Sequence, residues 1–159
     1  GYSVIYLEGN DYGTISCGGS SYMCQDKLIT LDINADVSLS VEPNAGFFIK
    51  ELTLDGKRIE PGMRNSVIEL QNLTDNHVLS VEYKRYVLGD VNDDDYIDVG
   101  DVSAIVKHIQ REPLKDFIPI AADTNNDGDI DVGDIRGEVN LSIVFITIEQ
   151  PKLIRNIRV

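Results

Sequence analysis

Apolar and polar positions alternate over six short stretches of the first 87 residues: Ser3 to Leu7, Gly13 to Cys17, Leu28 to Ile33, Val37 to Val41, Phe47 to Leu54 and Val78 to Tyr83. A period of two places successive side chains on opposite faces, so each stretch predicts a strand with one buried face. Asn34-Ala35, Pro43-Asn44-Ala45-Gly46 and Asp55-Gly56 separate these stretches and supply turn chemistry. Strands this short and this closely spaced predict an all-β domain over residues 1–87, built as a small sandwich. The period then changes. Val102, Ile105, Val106 and Ile109 stand at i, i+3, i+4 and i+7, and the pattern stops before Pro113. That spacing predicts a helix with Val102, Ile105 and Ile109 in the core of a second, mainly α domain over residues 88–159. Near the end, Ile143-Val-Phe-Ile-Thr-Ile148 is rich in strand formers and precedes Pro151 and the basic Lys152, Arg155 and Arg158. Extension of a last helix and packing against the first domain are both open for it.

Charge sharpens this division. The 159 residues carry 14 Lys plus Arg against 27 Asp plus Glu, a net charge of −13, which argues against nucleic acid and anionic lipid as partners. The longest apolar run, Ile143 to Ile146, is far short of a membrane span, so no membrane insertion is expected. A start at Gly1-Tyr2, without initiator Met or signal, is expected of a fragment of a longer polypeptide. Eleven of the 15 carboxylates beyond residue 87 fall in two twelve-residue blocks, 90–101 and 123–134. The blocks are a repeat offset by 33 residues, identical at positions 1, 3, 5, 8, 9, 10, 11 and 12. A merely solvated acidic face has no reason to keep Ile at position 8 and Gly at position 11 in both copies.

Positions 1, 3, 5, 7, 9 and 12 are the spacing at which a loop folds its oxygens around Ca²⁺. In the first loop these are Asp90, Asn92, Asp94, the Tyr96 carbonyl, Asp98 and Asp101; in the second, Asp123, Asn125, Asp127, the Asp129 carbonyl, Asp131 and Asp134. Two calcium ions are expected, with folding linked to their binding because so many carboxylates repel one another without a cation. Position 12 is Asp in both loops, and position 6 is Gly128 in the second but Asp95 in the first. A positive φ is more costly for Asp, so the first site is expected to be the looser one. Neither loop is preceded by room for a long entering helix: Val78 to Tyr83 reads as strand, and 116–122 is broken by Pro119. The unit is a loop followed by a helix, used twice. In the second copy Gly137 and Glu138 replace Ala104 and Ile105, and a mid-helix Gly costs about 1 kcal/mol against Ala, so the second helix is expected to be weaker or shorter.

The run from Gly89 to about Leu141, with Gly89-Asp-Val-Asn-Asp-Asp-Asp-Tyr-Ile-Asp-Val-Gly-Asp-Val-Ser-Ala-Ile-Val and Ala121-Ala-Asp-Thr-Asn-Asn-Asp-Gly-Asp-Ile-Asp-Val-Gly-Asp-Ile, resembles a dockerin. The resemblance implies a calcium-dependent module of two loop-helix (F-hand) repeats, packed as a near-symmetric pair. It also implies a partner: a cohesin domain of a scaffoldin or cell-surface anchoring protein. In that family, loop positions 10 and 11 and the helix surface beyond them recognise the cohesin. Carried onto this chain, the surface is Val99, Gly100, Val102, Ser103, Val106, Lys107, Gln110 and Arg111 from the first repeat and Val132, Gly133 and Arg136 from the second. The same Val-Gly pair in both copies permits two orientations related by a half-turn; the altered second helix favours the first face. Val99 and Val132, at the loop edges, are expected to face outward.

The stretch from Val41-Glu-Pro-Asn-Ala-Gly-Phe-Phe-Ile-Lys-Glu-Leu-Thr-Leu-Asp-Gly-Lys-Arg-Ile to Leu73-Thr-Asp-Asn-His-Val-Leu-Ser-Val-Glu-Tyr resembles a bacterial extracellular β-repeat. Beside a dockerin, an Ig-like domain of this kind is similar to an X module, which stabilises its neighbour. The combination implies an extracellular, non-catalytic adaptor that anchors a secreted polysaccharide-degradation protein. The alternative is a carbohydrate or cell-wall binding β-module braced by calcium loops, with weak glycan contact through Tyr2, Tyr6, Tyr12, Tyr22, Phe47 or Phe48, the chain having no Trp. No nucleophile elbow, phosphate-binding loop, dinucleotide fingerprint or zinc-protease motif is present, and His77, in a turn, and His108, on the helix, read as surface residues. Cys17 and Cys24 bracket a hairpin-sized loop, for which a disulfide and two free thiols are both open.

Overall fold

The computed structural model describes residues 1–149. The chain forms two compact units, Gly1–Arg85 and a second beginning at Tyr86. The first contains nine strands: β1 (Tyr2–Gly9), β2 (Gly13–Cys17), β3 (Ser20–Tyr22), β4 (Leu28–Asp32), β5 (Val37–Pro43), β6 (Phe47–Leu54), β7 (Lys57–Arg58), β8 (Ser66–Leu70) and β9 (His77–Arg85). They form a five-stranded sheet in the order β4-β1-β9-β6-β7 and a four-stranded sheet in the order β3-β2-β5-β8. All neighbours are antiparallel except β1 and β9, which run parallel with Ile5 opposite His77 and Gly9 opposite Val81.

The alternation builds the core directly. Ile5 and Leu7 of β1, Ile15 of β2, Leu39 and Val41 of β5, and Leu79, Val81 and Tyr83 of β9 point inward from their strands. In β6 the two buried residues, Ile49 and Leu52, are three apart, which a regular strand would send to opposite faces. A register shift between Ile49 and Glu51 turns both inward. β3, β7 and β8 are strands that the alternation did not announce. In β8 the inward positions are Ser66 and Ile68 while Val67 is exposed, so the polarity of the pattern is inverted there. The Ser66 hydroxyl is satisfied by the Gly62 N–H at 3.0 Å.

Cys17 and Cys24 are buried free thiols, and Cys24 Sγ donates to the Glu8 carbonyl at 3.5 Å. Burial raises both thiols above their ordinary range, Cys24 to about 11, so both are protonated at neutral pH. His77 is not in a turn but opens β9. Its Nδ1 lies 2.6 Å from Asp55 Oδ2, and the Val78 N–H donates to Asp55 Oδ1. The hydrogen bond from His77 is the main cause that holds the Asp55 carboxyl below its usual range.

The second unit holds α1 (Val99–Ile109), the single turn α2 (Pro119–Ala122) and α3 (Val132–Glu149). The Gly89 N–H donates to the Ala121 carbonyl at 2.9 Å and the Ile118 N–H to Val91 at 2.8 Å, tying the start of the first loop to the segment before the second. α1 ends with Arg111 at φ +59°, whose N–H returns to His108 while that of Glu112 returns to Lys107, a Schellman closure without its usual glycine. The expected core stripe of α1 is narrower than its periodicity suggests. Ile105 is fully buried, Ala104 buried and Val102 half-buried, but Ile109, in the last turn, is 37% exposed. His108 in that turn stacks on Phe117 with ring centroids 4.5 Å apart.

The second helix is not short. α3 runs for 18 residues and takes in Ile143–Phe145 and the positions up to Glu149. The basic residues Lys152, Arg155 and Arg158, and Pro151, lie outside the described residues. Gly137 does not interrupt α3 because it serves a close approach: a Cβ there would come within 2.2 Å of Thr124 Oγ1 and 2.7 Å of Thr124 Cβ. The inward face of α3 then continues through Glu138, Leu141, Ser142 and Phe145, with the Phe145 ring edge-on to Tyr96 at 6.4 Å.

Candidate metal centre

Each acidic loop closes on itself through the carboxylates at positions 1 and 12. In the first, Asp90 Oδ1 accepts from the Asp94 N–H and Oδ2 from the Asp95 N–H, both at 3.1 Å. In the second, Asp123 accepts from Asp127 at 3.1 Å and Gly128 at 3.0 Å in the same way. Asp101 and Asp134 reach back to the N–H groups of Asp98 and Asp131 at 2.9 and 2.8 Å. Asp98 and Asp131 in turn accept from Gly100 and Gly133, both at 2.9 Å. Positions 9 and 12 are thus the N-cap and N3 residues of the helix that follows, so the loop that gathers oxygens also starts the helix. Position 5 turns the chain toward position 7: Asp94 Oδ1 accepts from Tyr96 and Asp127 Oδ1 from Asp129, each at 2.9 Å.

The two loops follow the same backbone course. Positions 4 and 6 have positive φ in both copies, Asp93 +58° and Asp95 +70° against Asn126 +58° and Gly128 +86°. The hydrogen bonds that define the loop override the local preference of Asp95, at the cost of strain that Gly128 does not carry. Glycine at position 11 also has a local reason. A Cβ on Gly100 would lie 3.0 Å from Asp98 Oδ1, and one on Gly133 3.1 Å from Asp131 Oδ1, pressing on the cap carboxylate in each case.

Asp90, Asp94 and Asp101 each present an oxygen within 4.8 Å of the others, and so do Asp123, Asp127 and Asp134. Asp90, Asp101, Asp123 and Asp134 are buried, while Asp94 and Asp127 stand at the mouth. Burial raises the Asp90 carboxyl above its ordinary value and pushes Asp101 up to about 6, even though several backbone N–H groups favour the charged form. Asn92 Oδ1, at position 3, is buried without a hydrogen-bond partner. Hard oxygens from carboxylates and an amide, gathered on short loops with one orphaned acceptor, fit a hard cation of calcium's size and coordination number. Tyr96 and Asp129 carry the position 7 carbonyls, and Asp98, Asn125 and Asp131 complete the two loops from partly or fully exposed positions.

The residues expected to face a partner lie on the outside of the same framework. Val99 is 79% exposed and Val132 71% exposed, at matching first positions of α1 and α3. Ser103, Lys107, Gln110, Arg111, Gly133 and Arg136 are exposed; Gly100, Val102 and Val106 are half-buried. The residue that the sequence pattern passed over is Glu138, fully buried on α3, with neither carboxylate oxygen hydrogen-bonded. A Glu aligned by the repeat with the core position Ile105 was the available signal.

No helix among the described residues is long and apolar enough to cross a membrane. No curated protein matches the chain. Residues 88–136, which span both loops, α1 and the start of α3, match the family model described as the dockerin type I domain, so the second unit contains a dockerin module, of a non-catalytic, calcium-dependent, cohesin-binding kind, preceded here by an all-β domain.

Proposed function

We propose that this chain is a two-domain adaptor, residues 1–87 and 88–159, that attaches a secreted polysaccharide-degradation protein to a cohesin on a scaffoldin or cell-surface protein. Dockerin modules occur in secreted and cell-surface proteins, and the match over residues 88–136 is the observation that carries the reading. The first loop holds one Ca²⁺ through Asp90, Asn92, Asp94, the Tyr96 carbonyl, Asp98 and Asp101. The second holds another through Asp123, Asn125, Asp127, the Asp129 carbonyl, Asp131 and Asp134. Bound calcium offsets the repulsion among buried carboxylates and fixes the cap residues Asp98 and Asp131, which sets the first turns of α1 and α3.

Those turns present Val99 and Val132, whose exposure in equivalent places supports a hydrophobic contact with the cohesin. Around them, Gly100, Val102, Ser103, Val106, Lys107, Gln110 and Arg111 form the first face, and Gly133 and Arg136 continue the second. Burial of a Val side chain contributes roughly 1.5–3 kcal/mol, so one well-packed anchor on either helix is a substantial share of a specific interface. The β domain acts as a non-catalytic companion in the manner of an X module. Its support is architectural: a closed two-layer core, with Tyr12 and Phe47 stacked on each other at 4.6 Å and Arg85 over the Phe47 ring.

The test is calorimetric titration against a panel of cohesins in millimolar calcium and again in excess chelator. Binding to at least one cohesin that disappears with chelator is the expected result. A chain that is folded in calcium yet binds none of them would remove the adaptor reading, and retention on insoluble glycans would then favour the β-module alternative.

A further inference from the structure

Glu138 is the one fully buried Glu of the described residues, and both of its carboxylate oxygens lack a hydrogen-bond partner. A buried carboxylate without donors costs several kcal/mol unless a proton or a cation answers it. It belongs to α3 and therefore to the second repeat, yet it faces the first loop: Oε1 lies 3.4 Å from where a Cβ on Gly89 would stand, and Gly89 directly precedes Asp90. Burial above all, and after it the carboxylates Asp101, Asp90 and Asp98, all of the first loop, push its pKa up to about 8. Among the described residues no cationic side chain is paired with it. The internal repeat makes the placement asymmetric, because the corresponding residue of α1 is Ile105, also fully buried. The three oxygens gathered within 4.8 Å in that loop come from Asp90, Asp94 and Asp101, so Glu138 stands outside this cage and next to it.

We propose that Glu138 is a positioning carboxylate of the first cation site, contributed by the second repeat, which adds negative charge beside the ligand cage and thereby couples occupancy of the first loop to docking of α3. This rests on the reading of the first loop as a calcium site and goes beyond it, since a loop alone would bind with its own residues only. The first loop then draws on both halves of the module, whereas the second has an apolar residue at the equivalent place. Occupancy of the first loop consolidates the packing of the second helix.

The experiment compares the whole chain with E138Q, which keeps the shape, E138I, which copies the other repeat, and E138D, which keeps the charge. Calcium affinities come from calorimetry at fixed pH and ionic strength. Terbium luminescence excited through Tyr96, at position 7 of the first loop, reports that loop separately, with Tyr96→Phe as its control. The expected result is a loss of about tenfold or more in first-loop affinity for E138Q and E138I, a smaller loss for E138D, and little change in the second loop. The same two neutral variants raise the melting temperature in chelator more than in calcium. Wild-type first-loop affinity in both, with equal thermal shifts with and without calcium, would overturn the coupling and leave the calcium reading intact. A wild-type chain that binds no ion in its first loop would overturn both.

Discussion

Replacing Gly137 by Ala should destabilise the second unit even though Ala is the better helix former. In an exposed helix the change is worth about 1 kcal/mol in favour of Ala. Here the new methyl meets Thr124 Oγ1 at 2.2 Å and Thr124 Cβ at 2.7 Å, and neither is the far end of a long side chain. Thr124 cannot simply withdraw, since its hydroxyl donates to the Asp134 carbonyl at 2.9 Å and its N–H to the Ala122 carbonyl at 2.9 Å. Overpacking costs about 1–3 kcal/mol and a lost hydrogen bond about 1 kcal/mol, so the net expectation is a loss of about 1–3 kcal/mol. The α-helices of the described residues all lie in the second unit, so circular dichroism at 222 nm in calcium follows its unfolding apart from the β domain. Thr124→Gly removes the obstructing atoms, and in that background Gly137→Ala should cost at least about 1 kcal/mol less. An increase in stability on Gly137→Ala alone, or an identical effect in both backgrounds, would refute the close approach as the reason for the glycine.

Three further outcomes follow from the loops and the faces beside them. Val99→Asp combined with Val132→Asp should abolish cohesin binding while calcium affinity stays within about twofold, because both side chains are mostly exposed; titration with cohesin and with calcium checks the two halves, and surviving cohesin affinity removes these anchors. Asp95→Gly should stabilise the calcium-loaded module by about 1 kcal/mol through relief of the residue at φ +70°, read as a rise in melting temperature, and a fall would contradict it. In chelator, stability should decline with rising pH. Asp101 at about 6 and Glu138 at about 8 stand above their ordinary values of 3.8 and 4.5, so the fold favours their protonated forms. Their contribution is complete below about pH 4 and is lost as pH rises through 6 and then 8, with Asp101 alone accounting for about 3 kcal/mol. Melting curves at pH 5 and pH 8 with chelator test this, and a chelated module more stable at pH 8 would reverse the sign.

The repeat of Asp, Asn and Gly positions made the loops legible, because ligand spacing, helix capping and turn chemistry all demand the same residues at the same places. Six strands were legible from alternation for a comparable reason: one face of each is buried by the opposing sheet. β8 was hidden because Ser66 faces inward and Val67 outward, a tertiary choice enforced by pairing with β5 and by the Gly62 N–H. The length of α3 was hidden more deeply. Its buried side carries Asp134 and Glu138, while Val132, Val139, Ile143 and Val144 are exposed, so apolar residues fall on both sides and no helical stripe emerges. Its β-branched run favours strand in isolation, and packing within the module overrides that preference. The repeat alignment set Glu138 against Ile105, but on sequence this read only as a weaker helix, because burial of an unpaired Glu is decided by tertiary packing.

The parallel pairing of β1 with β9 decides how the β domain carries load. The first and last strands of this domain are neighbours pointing the same way, so the chain enters at one end of the sheet and leaves at the other. A pull between those ends draws the two strands past each other along their length. The ladder from Ile5–His77 to Gly9–Val81 is then strained in shear, with five residue pairs sharing the force, instead of opening one pair at a time as a hairpin pulled from its two ends does. Each strand is also held on its other side, β1 by β4 and β9 by β6, so neither peels away as an edge. Forced unfolding is governed by the unfolding rate and not by equilibrium stability. By its topology the domain is therefore built to resist tension applied between its two ends.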